Sequence, residues 1–341
     1  MAPRAFICGL KGTELSGEEE AFLRDSSPWG VVLFKRNLEE PDQVRRLCGA
    51  IRNTLGRENA PILIDQEGGR VQRFGPPHIR AYPAGAVYGQ LYERNPLLGV
   101  EAARLGAKLI ALDLSALGIT IDCLPVLDVP FNGMTGAIGD RTLGSTTDSV
   151  ATLGGAQIDG LLSGGVLPVM KHIPGHGRAT VDSHKELPRV EATLAELEPR
   201  DFTPFRLLAR RSPLAMTSHI VFPAVDDSAP ATLSAAVVAK VIRERIGFDG
   251  VLMTDDISMH ALSGWFRERA AAAMRAGCDL VLHCNGDMDE AKDVAAGSPE
   301  LSGDALRRTE HALSLLRAPD AVDRRALEAR FDALLAGVAV A

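Results

Sequence analysis

Eight short apolar segments alternate with longer helical patterns along almost the whole of this 341-residue chain. This alternation predicts an α/β fold, a single (β/α)8 TIM-barrel-like domain, because successive parallel strands need a helical connection between them. Two further observations agree with it: no linker or low-complexity segment divides the chain, and the long apolar segments end in polar residues. A doubly wound open sheet is the alternative, but the sequence contains neither the G-x-G-x-x-G turn typical of that fold nor a P-loop.

The elements follow one another in a regular order. The segments expected to form strands are 5–8, 30–34, 61–65, 119–126, 166–172, 214–219, 250–255 and 279–284. The helical patterns between them lie at 16–25, 42–55, 97–117, 150–163, 193–211, 234–246 and 264–276. Beyond the last strand, two more helices are expected within about 302–338. We therefore expect one catalytic barrel domain over residues 1–341, ending in C-terminal helices.

Composition limits the possible partners of the chain. With 46% apolar residues the chain can build a large core, and its formal net charge of −7 argues against binding to nucleic acid or to an anionic membrane surface. No apolar run approaches the ~18 residues of a membrane span, and the N-terminal one is too short for a signal peptide. The five cysteines are odd in number and widely spaced, which is typical of buried thiols in a reducing compartment. We expect a cytoplasmic protein without metal or cofactor, and favour a monomer.

Polar side chains that can take part in chemistry stand at the ends of the long apolar segments. In a parallel barrel the carboxyl ends of all strands meet at one mouth, so these side chains are expected to surround one site. They are Asp65, Asp128, Lys171 with His172, His219 and Asp255.

Two adjacent carboxylates, Asp255 and Asp256, stand at the end of the seventh strand segment. Successive side chains of a strand point to opposite faces, so one carboxylate is expected in the mouth and the other beside it. We expect Asp255 to be a nucleophile or base, and Asp256 to support it or to cap the helix that follows.

The loop segment 171–184 holds three histidines, and a metal site is one interpretation of them. His172 and His176 are four residues apart, a spacing that places two ligands on one face only in a helix. Pro174 and Gly175 exclude a helix here, so the sequence disfavours a metal site.

The same loop segment also contains Asp182 and His184, separated by one serine. A carboxylate beside an imidazole fixes its tautomer and raises its pKa, which makes an acid that can later act as a base. A Ser-His-Asp triad is disfavoured, because adjacent residues rarely reach that geometry and the sequence has no G-x-S-x-G turn.

Several motifs, taken together and in order, resemble those of glycoside hydrolase family 3, in particular its β-N-acetylglucosaminidases. The segment KHIPGHGRATVDSH at 171–184 is similar to the family signature K-H-F-P-G-H-G-x₄-D-S-H. The other matching segments are DQEGGRVQR at 65–73, DRTLG at 140–144, MTSH at 216–219, ATLS at 231–234 and GFDGVLMTDDISM at 247–259. The resemblance covers nearly the whole chain.

The resemblance implies roles for individual residues. Asp255 is the expected nucleophile, and His184 the expected acid/base, oriented by Asp182. The residues expected to hold the terminal sugar are Asp65, Arg73, Arg141, Lys171 and His172. Supporting or purely structural roles are expected for Glu67, Arg70, His176 and His219.

The implied activity is a retaining, exo-acting removal of terminal N-acetylglucosamine. The expected substrate is a small carbohydrate of cell-wall recycling, N-acetylglucosamine-1,6-anhydro-N-acetylmuramic acid, with or without peptide. Two alternatives within the family are a β-glucosidase and an N-acetylglucosaminide phosphorylase. A third uses the substrate's own acetamido group, with Asp255 and Asp256 as the carboxylate pair.

Overall fold

The computed structural model describes residues 2–183 and 185–336 of the chain. Within these residues eight parallel strands close into a barrel, which confirms the predicted fold class. The strands are β1 (Arg4–Gly9), β2 (Pro28–Leu33), β3 (Ile62–Ile64), β4 (Ile121–Asp122), β5 (Leu167–Ile173), β6 (Leu214–Thr217), β7 (Val251–Asp256) and β8 (Leu280–His283). Each strand pairs with the next one along the chain, and β8 pairs with β1.

Helices surround the barrel and complete the chain. They are α1 (Gly17–Ser26), α2 (Pro41–Leu55), α3 (Gly85–Arg94), α4 (Pro96–Ala116), α5 (Thr147–Ser163), α6 (Leu194–Arg200), α7 (Thr203–Leu208), α8 (Phe266–Ala276), α9 (Met288–Gly297), α10 (Gly303–Ser314) and α11 (Arg324–Ala336). Between α7 and α8 lies a wider, π-type helix, Val237–Arg245. Among the described residues, none of the helices is long and apolar enough to cross a membrane.

Two of the expected elements are interrupted in the structure. The helix predicted at 193–211 is split into α6 and α7, because Pro204 has no N–H with which to continue the hydrogen-bond ladder of α6. The strand predicted at 119–126 is regular only over Ile121–Asp122, since Pro125 cannot donate a hydrogen bond to a neighbouring strand.

Helices α3 and α9 lie outside the segments predicted to be helical. In α3, two glycines lower the helix propensity. The structure shows why glycine stands at these positions. A Cβ on Gly85 would lie 2.3 Å from the carbonyl oxygen of Arg141, and one on Gly89 would lie 2.7 Å from Cα of Gly144. The small residues therefore let α3 pack directly against the loop that carries Arg141.

The core has two layers, separated by the strands. Successive side chains of a strand point inward and outward alternately, so each strand contributes to both layers. In β1, Ile7 fills the barrel interior, whereas Phe6 and Cys8 pack between the strands and the helices. This packing fills the interior below the mouth, so that the carboxyl ends of the strands are held rigidly around the site.

Two short antiparallel hairpins extend loops at the ends of barrel strands. The first pairs Gln66–Gly68 with Val71–Gln72, directly after β3. The second pairs Val221–Phe222 with Asp226–Pro230, after β6. Short 3₁₀ segments occur at Lys35–Asn37, Gly139–Arg141 and Ala231–Leu233.

Candidate active site

A cavity of about 390 Å³ opens at the carboxyl ends of the barrel strands. It is lined by seven of the eight residues expected from the sequence to bind sugar or act on it: Asp65, Arg73, Arg141, Lys171, His172, Asp182 and Asp255. The eighth, His184, lies outside the described residues. Barrel closure has therefore brought together side chains that are up to 190 positions apart in the chain, from Asp65 to Asp255.

One wall of the cavity is a network of alternating charges. Lys171 Nζ lies 2.9 Å from Asp65 Oδ1 and 2.6 Å from Glu67 Oε1. Arg73 Nη2 donates to the other oxygen of Asp65 at 2.9 Å. Arg141 binds Glu67 through two parallel hydrogen bonds of 2.8 Å, from Nε and Nη2. The two carboxylates thus hold three cations in fixed positions around the mouth.

These groups keep their charges although they are buried. Burial opposes ionisation of Glu67, but Lys171 and Arg141 outweigh it and lower the pKa of Glu67 to about 2. For the same reason, Lys171 and Arg73 hold the pKa of Asp65 below its usual range. Lys171 is only 2% exposed, yet Asp65 and Glu67 hold its pKa above its usual range. At neutral pH the wall therefore presents fully ionised donors and acceptors, which suit the hydroxyl groups of a sugar.

The hairpin after β3 brings the side chain of Arg73 into contact with that of Asp65. Gln66 holds this hairpin together, because its Oε1 accepts the backbone N–H groups of Arg73 and Phe74 at 2.9 and 3.1 Å, and its Nε2 donates to the carbonyl of Phe74 at 2.6 Å. The turn needs a glycine at Gly68, where φ is 96° and a Cβ would lie 2.3 Å from a carbonyl oxygen.

Arg141 belongs to the long loop between β4 and α5, and Arg70 holds that loop in place. Arg70 Nε donates to Asp140 at 2.9 Å. Its Nη2 donates to three consecutive carbonyl groups, those of Gly136, Ala137 and Ile138. Arg70 therefore supports the position of Arg141 from the neighbouring hairpin.

Asp128 orients His172. Oδ2 of Asp128 lies 2.7 Å from Nδ1 of His172, and Oδ1 accepts the backbone N–H groups of His172 and His176 at 3.3 and 2.7 Å. Asp128 is fully buried, which opposes its ionisation, but the two histidines lower its pKa to about 2. A carboxylate fixes a proton on Nδ1 of His172, so the other ring nitrogen is the one that can contact a ligand.

His176 lies behind His172, with ring centroids 5.5 Å apart. Burial lowers the pKa of His176 to about 4, so the ring is neutral at pH 7. Its Nε2 lies 3.3 Å from the hydroxyl of Ser183, and the carbonyl of Ser183 accepts the N–H of Ala261 at 3.2 Å. The segment that carries Asp182 thereby rests on the loop that follows β7.

The histidines near the cavity differ in position, and His172 and His176 do so although they are only four residues apart. Within the described part of the chain, no group of three or more His, Cys, Asp or Glu side chains is placed so that it could hold a metal ion. His172 lines the cavity, whereas His176 and His219 are buried behind it.

Asp255 and Asp256 end β7, and their carboxylates have different surroundings. Asp256 Oδ1 accepts the N–H groups of Ser258 and Cys284 at 3.0 and 3.2 Å, and its Oδ2 accepts the Ser258 hydroxyl at 2.6 Å. Its carboxylate thus stabilises the turn after β7. Asp256 also lines the cavity, so the strict alternation expected for the two carboxylates is not kept at this irregular end of the strand. Asp255 Oδ1 accepts the N–H of Asp256 at 2.8 Å, and its half-buried side chain lines the cavity.

Comparison with known proteins identifies relatives over most of the chain. Residues 8–305 match the sequence model of the glycosyl hydrolase family 3 N terminal domain. A β-hexosaminidase of Alkalilimnicola ehrlichii is 41% identical over 282 residues, which cover 82% of this chain and 80% of the relative. A β-hexosaminidase of Bordetella avium is 36% identical over 327 residues, covering 95% of this chain and 87% of the relative.

Solved structures show the same similarity in three dimensions. NagZ from Neisseria gonorrhoeae, in complex with N-trifluoroacetyl-D-glucosamine, superposes with a TM-score of 0.86 at 32% identity, covering 99% of this chain and 98% of that one. A family 3 β-N-acetylglucosaminidase from Paenibacillus sp. str. FPU-7 superposes with a TM-score of 0.82 at 31% identity, covering 99% of this chain and 62% of that one.

Proposed function

Because this chain belongs to glycosyl hydrolase family 3 and is a β-N-acetylglucosaminidase of the NagZ type, we propose that it is a retaining, exo-acting enzyme of cell-wall recycling. Its substrate is N-acetylglucosamine-1,6-anhydro-N-acetylmuramic acid, with or without peptide, and it acts in the cytoplasm. The observation that carries the proposal is that Asp255 lines the same cavity as a fixed set of charged side chains that suit the hydroxyl groups of a sugar.

In the first step, an oxygen of Asp255 attacks the anomeric carbon of the terminal sugar. A bond forms between that oxygen and the carbon, the glycosidic C–O bond breaks, and His184 gives its proton to the leaving oxygen. In the second step, His184 takes a proton from water, the water oxygen attacks the same carbon, and the bond to Asp255 breaks. Two inversions at one carbon leave its configuration unchanged.

The acid/base is a histidine here rather than the usual second carboxylate. An imidazole does not repel the anionic nucleophile, and it titrates near neutral pH, which suits a group that both donates and accepts a proton. Asp182 lines the cavity and has the role of orienting this imidazole.

The terminal sugar is held by the charged wall. One linked set of partners for hydroxyl groups consists of Asp65, Arg73 and Lys171. Glu67 connects Arg141 to this set, because it pairs with both Lys171 and Arg141. Since these side chains already hold one another, little side-chain entropy is lost when a sugar binds.

The central experiment is the replacement Asp255→Asn, which keeps the shape of the side chain but removes its charge. We expect a folded protein with almost no turnover of an aryl β-N-acetylglucosaminide. A fluorinated N-acetylglucosaminyl fluoride should label Asp255 of the unaltered enzyme, as detected by peptide mass. A variant that keeps more than a few per cent of its activity would show that Asp255 is not the nucleophile.

The same reagents separate the alternatives. A covalent label on Asp255 contradicts a mechanism in which the substrate's acetamido group is the nucleophile and Asp255 and Asp256 only assist. Comparing aryl N-acetylglucosaminide with aryl glucoside and xyloside measures the sugar preference. Product analysis with and without phosphate distinguishes hydrolysis from phosphorolysis, because a phosphorylase would release N-acetylglucosamine 1-phosphate.

A further inference from the structure

A chain of buried hydrogen bonds lies directly behind Asp255. Its members are Thr217 at the end of β6, His219 two residues later, and Thr232 after the second hairpin, and all three are fully buried. Thr217 Oγ1 lies 3.4 Å from the backbone nitrogen of Asp255, and His219 Nε2 lies 3.0 Å from the carbonyl oxygen of Asp256. Thr232 Oγ1 joins the two ends, at 2.7 Å from both Thr217 Oγ1 and His219 Nδ1.

The direction of each hydrogen bond follows from its partners. A carbonyl oxygen can only accept, so Nε2 of His219 carries the proton and donates to Asp256. Burial lowers the pKa of His219, so the ring is neutral and its Nδ1 accepts the hydroxyl proton of Thr232. The hydroxyl of Thr217 then donates to Thr232 Oγ1, and its oxygen accepts the N–H of Asp255. The carbonyl of Ser218, 3.1 Å from Thr232 Oγ1, is a more distant competing acceptor.

The chain fixes the backbone on both sides of the Asp255–Asp256 pair. The carboxylate of Asp255 is attached to this backbone, because its Oδ1 accepts the N–H of Asp256 at 2.8 Å. A shift of the backbone would therefore move the carboxylate with it. An attacking atom must lie within roughly 3–3.5 Å of the carbon it attacks, and a displacement of about 1 Å can lower the rate on the order of 100-fold.

We propose that His219, Thr232 and Thr217 are positioning residues that hold the carboxylate of Asp255 at the distance required for attack on the anomeric carbon. The inference rests on the proposed function, since it takes Asp255 as the nucleophile. None of the three lines the cavity, so they act on the reaction only through the backbone of the nucleophile.

The first test is Thr232→Val, which keeps the size of the side chain and interrupts the chain at its centre. We expect kcat to fall by roughly 10- to 100-fold. The inhibition constant of N-acetylglucosamine should stay unchanged, because the charged wall that holds the sugar is built from β5 and from the loops that follow β3 and β4. A fluorinated N-acetylglucosaminyl fluoride should still label Asp255, but more slowly in proportion to kcat.

The matched control is Thr254→Val. Thr254 precedes Asp255 on β7 and is fully buried, and its Oγ1 accepts a backbone N–H, that of Leu282, at 2.9 Å. This variant should lose a comparable amount of thermal stability, measured as Tm, but keep most of its kcat. Equal losses of kcat in the two variants would mean that Thr232 contributes only to the stability of the fold, and would overturn the inference.

Variants of His219 provide a second, independent test. His219→Gln can place an amide N–H near the position of Nε2 and restore the donor to the carbonyl of Asp256, whereas His219→Ala cannot. We therefore expect Gln to recover part of the kcat that Ala loses, with equal inhibition by N-acetylglucosamine. Equal kcat values for the two variants would contradict the inference.

The labelling experiment distinguishes the two possible failures. If the unaltered enzyme is labelled on a residue other than Asp255, the proposed function fails and the inference fails with it. If Asp255 is labelled at the same rate in Thr232→Val as in the unaltered enzyme, the nucleophile stands and only the positioning role is wrong.

Discussion

Asp128 and His172 form a buried carboxylate–imidazole pair at the mouth of the barrel, with 2.7 Å between Oδ2 and Nδ1. The pair is also anchored to the main chain, because Oδ1 of Asp128 accepts the backbone N–H groups of His172 and His176. One fully buried side chain therefore determines both the tautomer of His172 and the path of the chain around it.

Asp128→Asn tests this orientation. The amide has nearly the same volume, but it no longer provides two charged acceptors, so the ring of His172 can turn or change its tautomer. We expect kcat/KM to fall on the order of 100-fold with aryl N-acetylglucosaminides. Asp249→Asn is the control, because Asp249 is an exposed partner of Arg307 at the opposite, amino-terminal end of β7. A similar loss in both variants would refute the role of Asp128.

Glu67→Gln tests the charged wall. Glu67 neutralises Lys171 and Arg141, which are almost completely removed from water, and removing one partner of a buried ion pair costs about 3–5 kcal/mol. The free energy of unfolding, measured with urea, should fall by that amount. Asp159→Asn, which breaks the exposed pair with Arg211, should cost no more than about 1 kcal/mol. If the two variants were equally stable, the wall would contribute nothing to folding.

The stability of the protein should depend on pH through His176. In the unfolded chain this residue binds a proton below about pH 6.5. In the folded state burial lowers its pKa, so that it binds a proton only below about pH 4. Between these values the unfolded state holds more protons, so stability decreases as the pH falls through this window. The contribution is on the order of 3 kcal/mol.

His219 also makes the folded protein less stable as the pH falls, because burial lowers its pKa as well. The free energy of unfolding, measured with urea, should therefore differ less between pH 7 and pH 4.5 in His176→Gln than in the unaltered protein. The part of the difference that is due to His219 should remain. An unchanged difference would mean that His176 is accessible to protons in the folded state.

Arg70→Met tests the support of Arg141. Without the guanidinium, three carbonyl groups and Asp140 lose their common donor, and the loop that carries Arg141 is no longer tied to the hairpin. We expect KM to rise about tenfold, equivalent to about 1.4 kcal/mol of binding, with little change in kcat. Arg46→Met removes an exposed guanidinium paired only weakly with Glu40 and should leave KM unchanged. A lower kcat at constant KM would contradict this role.

Part of the site could be predicted from the sequence because strand ends are local features. The apolar segments before Asp65, Lys171 and Asp255 mark these side chains as lying where strands leave the barrel, and parallel strands end at one mouth. The contacts of Glu67 could not be predicted in this way. Its partners, Arg141 and Lys171, lie 74 and 104 positions further along the chain.

The sequence by itself determined the order of strands and helices and the end of the strands at which the polar residues gather. Each of these depends on patterns within a few neighbouring residues, such as alternating apolar positions and proline or glycine at turns. Only the tertiary structure decided that Asp128 holds His172, that Glu67 bridges two cations, and that a chain of hydroxyl groups lies behind Asp255. Such contacts depend on ångström-level distances between distant segments, which exist only when the strands have closed in register.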